Sequence, residues 1–175
     1  MKIIVFLLLG LFLLTFTNTN LHAQNHEITF ILLRHAEKDV SPEADKVDPE
    51  LSAEGRQRAE RLIETIKKYQ PTYIYSTNFK RTRATVTPLA ENLNSKYRQQ
   101  IQIYDYVEQA ALIDQLLKSN VRTVVIVGHN STIPVLANTL IKQEKYKTLG
   151  ESEYNKIWII KIKKNKVKKD ELIEY

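Results

Sequence analysis

The feature that most constrains this sequence is a short apolar run that stops at a basic pair. Phe30-Ile31-Leu32-Leu33 leads directly into Arg34-His35, and a run of this length with polar boundaries is typical of a buried strand. In open α/β sheets, ligands bind at the carboxyl ends of the strands. Arginine offers a planar fork of donors to phosphate oxygens, and a neutral imidazole nitrogen can act as a nucleophile. The stretch therefore favours phosphate chemistry, and the alternative is a surface Arg-His pair after a strand.

The first part of the chain, residues 1–23, has the pattern of a signal peptide. Lys2 is followed by an apolar run over residues 3–16 and then by a polar stretch that ends at Ala23, a small residue suited to cleavage. The apolar run is shorter than the roughly 20 residues that span a bilayer. We therefore expect residues 24–175 to be exported, to the periplasm or outside the cell, without a stable membrane span. An uncleaved N-terminal anchor is the alternative.

Composition restricts the chemistry of the mature chain. A length of 175 residues with 43% hydrophobic and 26% charged residues suits one domain with its own core. The absence of cysteine excludes a disulfide, a thiolate nucleophile and a cysteine-ligated metal. The net charge of +6 favours anionic small molecules in a general way. It is too small to indicate nucleic acid, and no aromatic-basic motif of the RNA-binding kind is found, so no nucleic-acid partner is predicted.

Hydrophobic periodicity predicts strands that alternate with helices after residue 27. Ser52 is a good N-cap for the first helix, and Pro88 within the second predicts a kink or a late start. The predicted strands are 28–33, 73–76, 101–104 and 123–127, and the predicted helices are 52–69, 82–93, 107–117 and one that begins near Ser131 or Thr132. A charged loop over 38–49 is expected to lie over the edge of the site.

The end of the chain predicts a hairpin. Residues 157–162 and 167–175 read as two strands with Asn165 in the turn, and their many lysines are expected to form a solvated edge that prevents pairing between molecules. The whole pattern predicts an α/β fold: a three-layer helix–sheet–helix sandwich with a mainly parallel sheet and an antiparallel C-terminal edge hairpin.

Two further basic motifs follow predicted strands. Residues 76–85, which include Arg81, come after the second strand, and Gly128-His129-Asn130 comes after the strand over 123–127. Because parallel strands end at the same edge of a sheet, Arg34, His35, Arg81 and His129 are expected to converge on one anion. The helices that begin there add backbone donors and a favourable dipole.

Taken together, the motifs Arg34-His35-Ala36-Glu37, Ser76 through Thr85 and Gly128-His129-Asn130 resemble the histidine phosphatase superfamily, which has the phosphoglycerate-mutase-like fold. The resemblance covers nearly all of residues 27–175. It implies that His35 takes the phosphoryl group as a phosphohistidine, which water then hydrolyses. It further implies that Arg34, Arg81 and His129 bind the phosphoryl oxygens. No metal and no cofactor are implied.

The resemblance leaves the proton donor open. Members of the superfamily usually carry an acid that protonates the leaving group, and one of its common positions is occupied here by Asn130. Asp105, at the end of a predicted strand, and Glu108, a turn later, are the candidates for the other position. The alternative for Asp105 is that it only caps the next helix. Glu37 could orient its loop rather than donate a proton.

The leading hypothesis is an exported phosphatase that hydrolyses phosphomonoesters or phosphohistidine-like substrates through phospho-His35. Its expected partner is a phosphorylated small molecule or a phosphoglycan. The short chain resembles the compact, lidless members of the superfamily, which argues against the sugar-phosphate mutases. A phosphate- or phosphoglycan-binding protein with a catalytically weak relic site is the alternative, and attachment to an anionic cell surface through the C-terminal lysines is a third. For single residues, His35 as a core histidine and His129 as a strand-end cap are the competing interpretations.

Overall fold

The computed structural model describes residues 26–93 and 100–175, and these residues form a six-stranded sheet with two helices on each face. The strand order across the sheet is β3-β2-β4-β1-β5-β6. The strands are β1 (Glu27–Arg34), β2 (Tyr73–Ser76), β3 (Ile101–Ile103), β4 (Thr123–Gly128), β5 (Lys156–Lys163) and β6 (Lys166–Glu174). The helices are α1 (Ala53–Ile66), α2 (Lys80–Asn92), α3 (Gln109–Lys118) and α4 (Thr132–Ile141).

The centre of the sheet is parallel and one edge is antiparallel. β4 lies between β1 and β2 and pairs with both in parallel, and β2 pairs with β3 in the same sense. Every residue of β4 is buried, as expected for a β-branched strand covered on both faces. β5 and β6 continue the sheet as an antiparallel hairpin. The predicted three-layer α/β architecture is confirmed.

Successive side chains of a strand point to opposite faces of the sheet, and each face has its own apolar core. On one face, Phe30 and Leu32 of β1 join the apolar residues of α3 and α4. On the other face, Ile31 and Leu33 join those of α1 and α2. This arrangement explains why the run that ends at Arg34 is continuously apolar, because each of its two faces packs against a different helix pair.

The first helix is capped by a local residue, and the second is capped by a residue distant in the sequence. Ser52 caps α1 as predicted, because its side chain accepts a hydrogen bond from the Gly55 amide at 3.1 Å. Of the two alternatives predicted from Pro88, a kink or a late start of α2, the late start is wrong: the helix begins at Lys80, with Pro88 inside it. The side chain of Asp48, from the 38–49 loop, accepts a hydrogen bond from the Lys80 amide at 2.9 Å. A carboxylate far along the chain thus caps the helix, and propensity within 76–93 carries no sign of it.

The C-terminal hairpin follows the prediction closely. Lys164 and Asn165 both have positive φ, 51° and 57°, as a two-residue hairpin turn of the primed type requires. β6 is an edge of the sheet and carries two exposed lysines, Lys166 and Lys168. Across residues 26–93 and 100–175, no helix is long and apolar enough to cross a membrane. The predicted signal peptide lies outside the described residues and stays a prediction.

Gly55 lies in a helix at a position where replacement by alanine is expected to destabilise the fold. Replacing glycine by alanine inside a helix normally stabilises it by about 1 kcal/mol. Here a Cβ at position 55 would clash with the backbone of Glu37, in the loop that follows His35. We expect Gly55→Ala to lower the free energy of unfolding by about 1–3 kcal/mol, the usual cost of overpacking, as measured by urea denaturation. Glu60→Ala, on the exposed face of the same helix, is the control; equal stability of both variants would contradict the prediction.

Candidate active site

The three sequence motifs lie at one edge of the sheet. In the parallel ladder Arg34 of β1 is level with Gly128 of β4, and Ser76 of β2 is level with Val127. The pairing continues one step further, because the His35 amide donates to the Gly128 carbonyl at 2.9 Å. The structure therefore brings the ends of the three strands together, as the parallel topology predicts.

His35 is buried and held in one tautomer. Its Nδ1 lies 2.7 Å from the carbonyl oxygen of Ala36. A carbonyl oxygen can only accept, so Nδ1 carries the proton and Nε2 keeps its lone pair. Only 4% of His35 is exposed. A neutral imidazole with a fixed ring and a free Nε2 is the form that a nucleophilic histidine needs.

His129 lies beside His35, and its orientation depends on a threonine. The two ring centroids are 5.6 Å apart, with an edge-to-face geometry. Thr77 Oγ1 lies 3.1 Å from His129 Nε2 and donates to Thr82 Oγ1 at 3.0 Å. Because the single Thr77 hydroxyl proton goes to Thr82, the hydroxyl oxygen can accept from His129 Nε2–H. The rings of Phe79 and Tyr106 also contact His129, at centroid distances of 5.0 and 5.8 Å.

Burial and positive charge keep both histidines neutral. Burial lowers the pKa of His35 from its ordinary 6.5 to about 3; the Ala36 hydrogen bond opposes this effect and Arg34 reinforces it. The pKa of His129 is lowered to about 4, mainly by burial and also by Arg81 and Arg34. Both rings are therefore uncharged at neutral pH, and an anion bound between them would raise both pKa values.

Arg34 and Arg81 each have a buried N–H group that is available to a ligand. Arg34 is 2% exposed, and its Nη1 donates to three backbone carbonyls within residues 150–153. Arg81 Nη1 lies 3.5 Å from Asp48 Oδ1, and its guanidinium lies 4.5 Å from the Phe79 ring centroid. Within the described part of the chain, the Nε atoms of both side chains are buried and without a hydrogen-bond partner. Buried donors seldom stay unpaired, and an oxyanion would satisfy both.

The candidate proton donors lie apart from these four residues. Asp105 Oδ1 accepts a hydrogen bond from the Val107 amide at 2.8 Å and so caps a short 3-10 turn over Tyr106–Glu108. Asp105 and Glu108 are both exposed and line a groove beside β3 and α3 that contains none of the site histidines or arginines. The turn nevertheless adjoins the site, because Tyr106 contacts His129. The proton-donor role of either carboxyl stays a prediction.

Glu37 has a different partner. Both of its carboxylate oxygens accept hydrogen bonds from Arg58, at 2.6–2.9 Å. Burial would raise the pKa of Glu37, but these hydrogen bonds outweigh it and lower the pKa. Glu37 is therefore ionised and orients the loop after His35, in agreement with the interpretation made from its position.

Three contributors to the site were missed in the sequence. Tyr154 lies against both Arg34 and His35, Thr77 contacts His129, and Asp48 contacts Arg81. Thr77 lies within the second motif, so its place in the motif was an available signal, whereas Tyr154 and Asp48 come from loops distant in sequence. The 38–49 loop also borders the site as predicted: with Arg81 it encloses a recess of about 320 Å³. Among residues 26–93 and 100–175, no group of three or more His, Asp or Glu side chains could hold a metal ion.

Comparison with solved structures identifies the fold. The protein histidine phosphatase SixA complexed with tungstate superimposes with a TM-score of 0.68 at 13% identity, covering 84% of this chain and 97% of that one. The native mycobacterial glucosyl-3-phosphoglycerate phosphatase gives a TM-score of 0.64 at 18% identity, with 85% and 98% covered. Mycobacterial hydrolase 1 gives 0.64 at 18% identity, with 86% and 98% covered. The chain therefore has the histidine phosphatase fold.

The sequence comparison points to the same group. The model of the histidine phosphatase superfamily (branch 1) matches residues 30–108, which include the first two motifs. No curated protein sequence matches the chain significantly. The match covers 79 of the 175 residues, and the solved structures show the same fold.

The lowered histidine pKa values predict an acid-sensitive fold. Between pH 6.5 and about 4, the unfolded chain binds protons on histidines that the folded chain keeps neutral. The free energy of unfolding should therefore fall as the pH falls through this range, by up to about 1.4 kcal/mol per pH unit for each histidine.

The effect can be measured by urea denaturation at a series of pH values. We expect His129→Gln to show a shallower pH dependence near pH 5 than the wild type. Asn130→Gln, which alters the neighbouring side chain without removing a titrating group, should keep the wild-type slope. An unchanged slope in His129→Gln would contradict the buried, neutral state of this ring.

Proposed function

We propose that this protein is an exported histidine-type phosphatase that hydrolyses phosphomonoesters or phosphohistidine-like substrates without a metal. One observation supports the proposal above the others: His35 is buried and neutral, with Nδ1–H on a backbone carbonyl, beside two arginines whose buried Nε atoms have no partner in residues 26–93 and 100–175. A nucleophile with a lone pair therefore lies close to the positive charges of Arg34 and Arg81. Phosphoryl transfer depends mainly on positioning and charge neutralisation.

The reaction would proceed in two displacements. In the first, the Nε2 lone pair of His35 forms a bond to phosphorus as the bond to the leaving-group oxygen or nitrogen breaks, and the leaving group takes up a proton from an acid or from water. In the second, water attacks phosphorus, the P–N bond breaks, and inorganic phosphate is released. Arg34 and Arg81 would neutralise the phosphoryl oxygens throughout. His129, whose pKa rises next to the anion, would hydrogen-bond the same group.

The recess beside Arg81 is where the rest of the substrate would lie. Its walls come from the 38–49 loop, which contributes both lysines and aspartates. The fold neighbours include a protein histidine phosphatase and a glucosyl-3-phosphoglycerate phosphatase, so phosphohistidine and phosphorylated small molecules or phosphoglycans are the substrate classes to test first. Export rests on the signal-peptide pattern of residues 1–23.

A second candidate function is phosphate or phosphoglycan binding with little turnover. The observation in its favour is the position of Asp105 and Glu108, which line a groove apart from His35. Without a proton donor, esters with poor leaving groups would be hydrolysed slowly even if phosphate binds well.

Loss of the nucleophile tests the proposal. We expect the mature chain to hydrolyse p-nitrophenyl phosphate in the presence of EDTA, and His35→Ala to lower kcat by at least about a thousandfold, because the residue that accepts the phosphoryl group is removed. His26→Ala, at the far end of β1, is the control and should keep wild-type turnover. EDTA-resistant activity that survives in His35→Ala would exclude the phosphohistidine route, and phosphate binding without turnover by the wild type would favour the binding protein.

The proton donor can be located by varying the leaving group. Asp105→Asn and Glu108→Gln should be assayed on p-nitrophenyl phosphate and on an alkyl phosphate. If Asp105 protonates the leaving group, Asp105→Asn should lower kcat on the alkyl ester by about 10²-fold and have little effect on the p-nitrophenyl ester. Equal effects on both substrates would show that Asp105 serves only as the cap of its turn.

A further inference from the structure

The loop over residues 149–154, between α4 and β5, connects the first and third motifs. The Leu149 amide donates to the Asn130 carbonyl at 3.0 Å, next to His129. The Asn130 side chain in turn donates to Glu151 Oε1 at 3.2 Å. At its other end the loop reaches Arg34. The 149–154 loop is therefore attached to the residues that follow β4 and to the last residue of β1.

One nitrogen of the Arg34 guanidinium is hydrogen-bonded to this loop. Its Nη1 lies 2.8, 3.0 and 3.2 Å from the carbonyl oxygens of Gly150, Glu151 and Glu153. An Nη1 has two hydrogens, so the three carbonyls occupy its donors fully. These contacts limit rotation of the guanidinium within its own plane, and among the residues that the structure describes they leave the Nε as its buried, unpaired donor.

Tyr154, the last residue of the loop, covers the face of the same guanidinium. The Arg34 Cζ lies 4.0 Å from the centre of the Tyr154 ring, within the range of a cation–π contact. The ring also lies 5.9 Å from that of His35. Tyr154 thus restricts tilt of the guanidinium out of its plane, while the loop carbonyls restrict its rotation within the plane.

We propose that Tyr154 is a positioning residue of the active site, which holds the Nε edge of Arg34 toward the phosphoryl group and keeps water from His35. The proposal rests on the proposed function only in taking a phosphoryl group as the ligand. The ring itself, and not the hydroxyl, does this work, because both of its contacts in the site are made by the aromatic ring.

A second effect follows from the contact with His35. Burial is the largest cause of the low pKa of His35, and the Tyr154 ring is one of the groups that bury it. Arg34, Arg81 and His129 are the other groups that lower this pKa, and Glu151 lies 3.5 Å from Arg34. Removal of the ring would admit water while these neighbours remain, so the pKa of His35 should move back toward 6.5.

Three variants of Tyr154 separate the ring from the hydroxyl and from the bulk of the side chain. Tyr154→Phe keeps the ring, Tyr154→Leu keeps apolar volume without a π-face, and Tyr154→Ala removes both. Tyr69→Leu is the matched control, because Tyr69 is a partly buried tyrosine that packs against the core formed with α1 and α2. The measurements are the Kd for inorganic phosphate by calorimetry, the pKa of His35 by proton NMR, and kcat and KM with p-nitrophenyl phosphate.

We expect Tyr154→Phe and Tyr69→Leu to bind phosphate within about threefold of the wild type. Tyr154→Leu and Tyr154→Ala should bind it about ten- to thirtyfold more weakly, the effect of losing a desolvated cation–π contact. Tyr154→Ala should also raise the pKa of His35, which a loss of general stability would not do. For turnover, kcat should fall more than KM rises, because Arg34 contributes most when charge develops on the phosphoryl group.

Two results would overturn the proposal. Wild-type affinity and an unchanged His35 pKa in Tyr154→Ala would show that the ring positions nothing. A loss in Tyr154→Phe as large as in Tyr154→Ala would assign the role to the hydroxyl instead. Because the phosphate Kd and the His35 pKa need no turnover, a wild type that binds phosphate without hydrolysing esters would contradict the phosphatase proposal and leave these comparisons decisive for Tyr154.

Discussion

The site depends on positive charge that is buried without a matching carboxylate. Arg34 is almost fully buried, yet its nearest carboxylate, Glu151, is 77% exposed and 3.5 Å away. The nearest carboxylate of Arg81 is also at 3.5 Å, beyond the length of a strong charge-assisted hydrogen bond. The positive charge of the two guanidinium groups is therefore largely uncompensated in a region of low dielectric, where it repels a third cation. Burial is the main cause of the neutral histidines and this charge adds to it, and an oxyanion is the group that such a site stabilises.

The fold must resist the repulsion that this arrangement creates. Arg34 is the last residue of β1, and the next amide, that of His35, still pairs with β4. Next to this edge, each face of the sheet carries its own apolar core. The end of β1 or of β4 therefore cannot move without disturbing the packing on one of the two faces. Rigid strands place the charged groups, and the loops that follow them supply the contacts that orient each group. This division of roles explains why the 38–49 and 149–154 loops each contact one arginine.

What could be predicted from the sequence depends on local patterns. The run at 30–33 and the β-branched strand over 123–127 are continuously apolar, as strands buried on both faces are, and the residues that follow them reach one edge because the strands are parallel. Arg34, His35, Arg81 and His129 were therefore found together. Asp48 and Tyr154 could not be found in this way, because their partners are 33 and 120 positions away along the chain and no local pattern connects them. The start of α2 was missed for the same reason, since its cap is supplied by Asp48.

The surplus charge also bears on where a proton donor can lie. A carboxylate next to His35 would neutralise the arginines and repel the phosphoryl oxygens, so an acid for the leaving group has to act from the rim of the site. The turn that begins at Asp105 is at that rim, since its Tyr106 contacts His129. Capping does not conflict with such a role, because the cap uses Oδ1 of Asp105 and a carboxyl group carries its proton on the other oxygen. A substrate whose leaving group lies over Tyr106, and not in the recess beside Arg81, would bring that group toward this carboxyl.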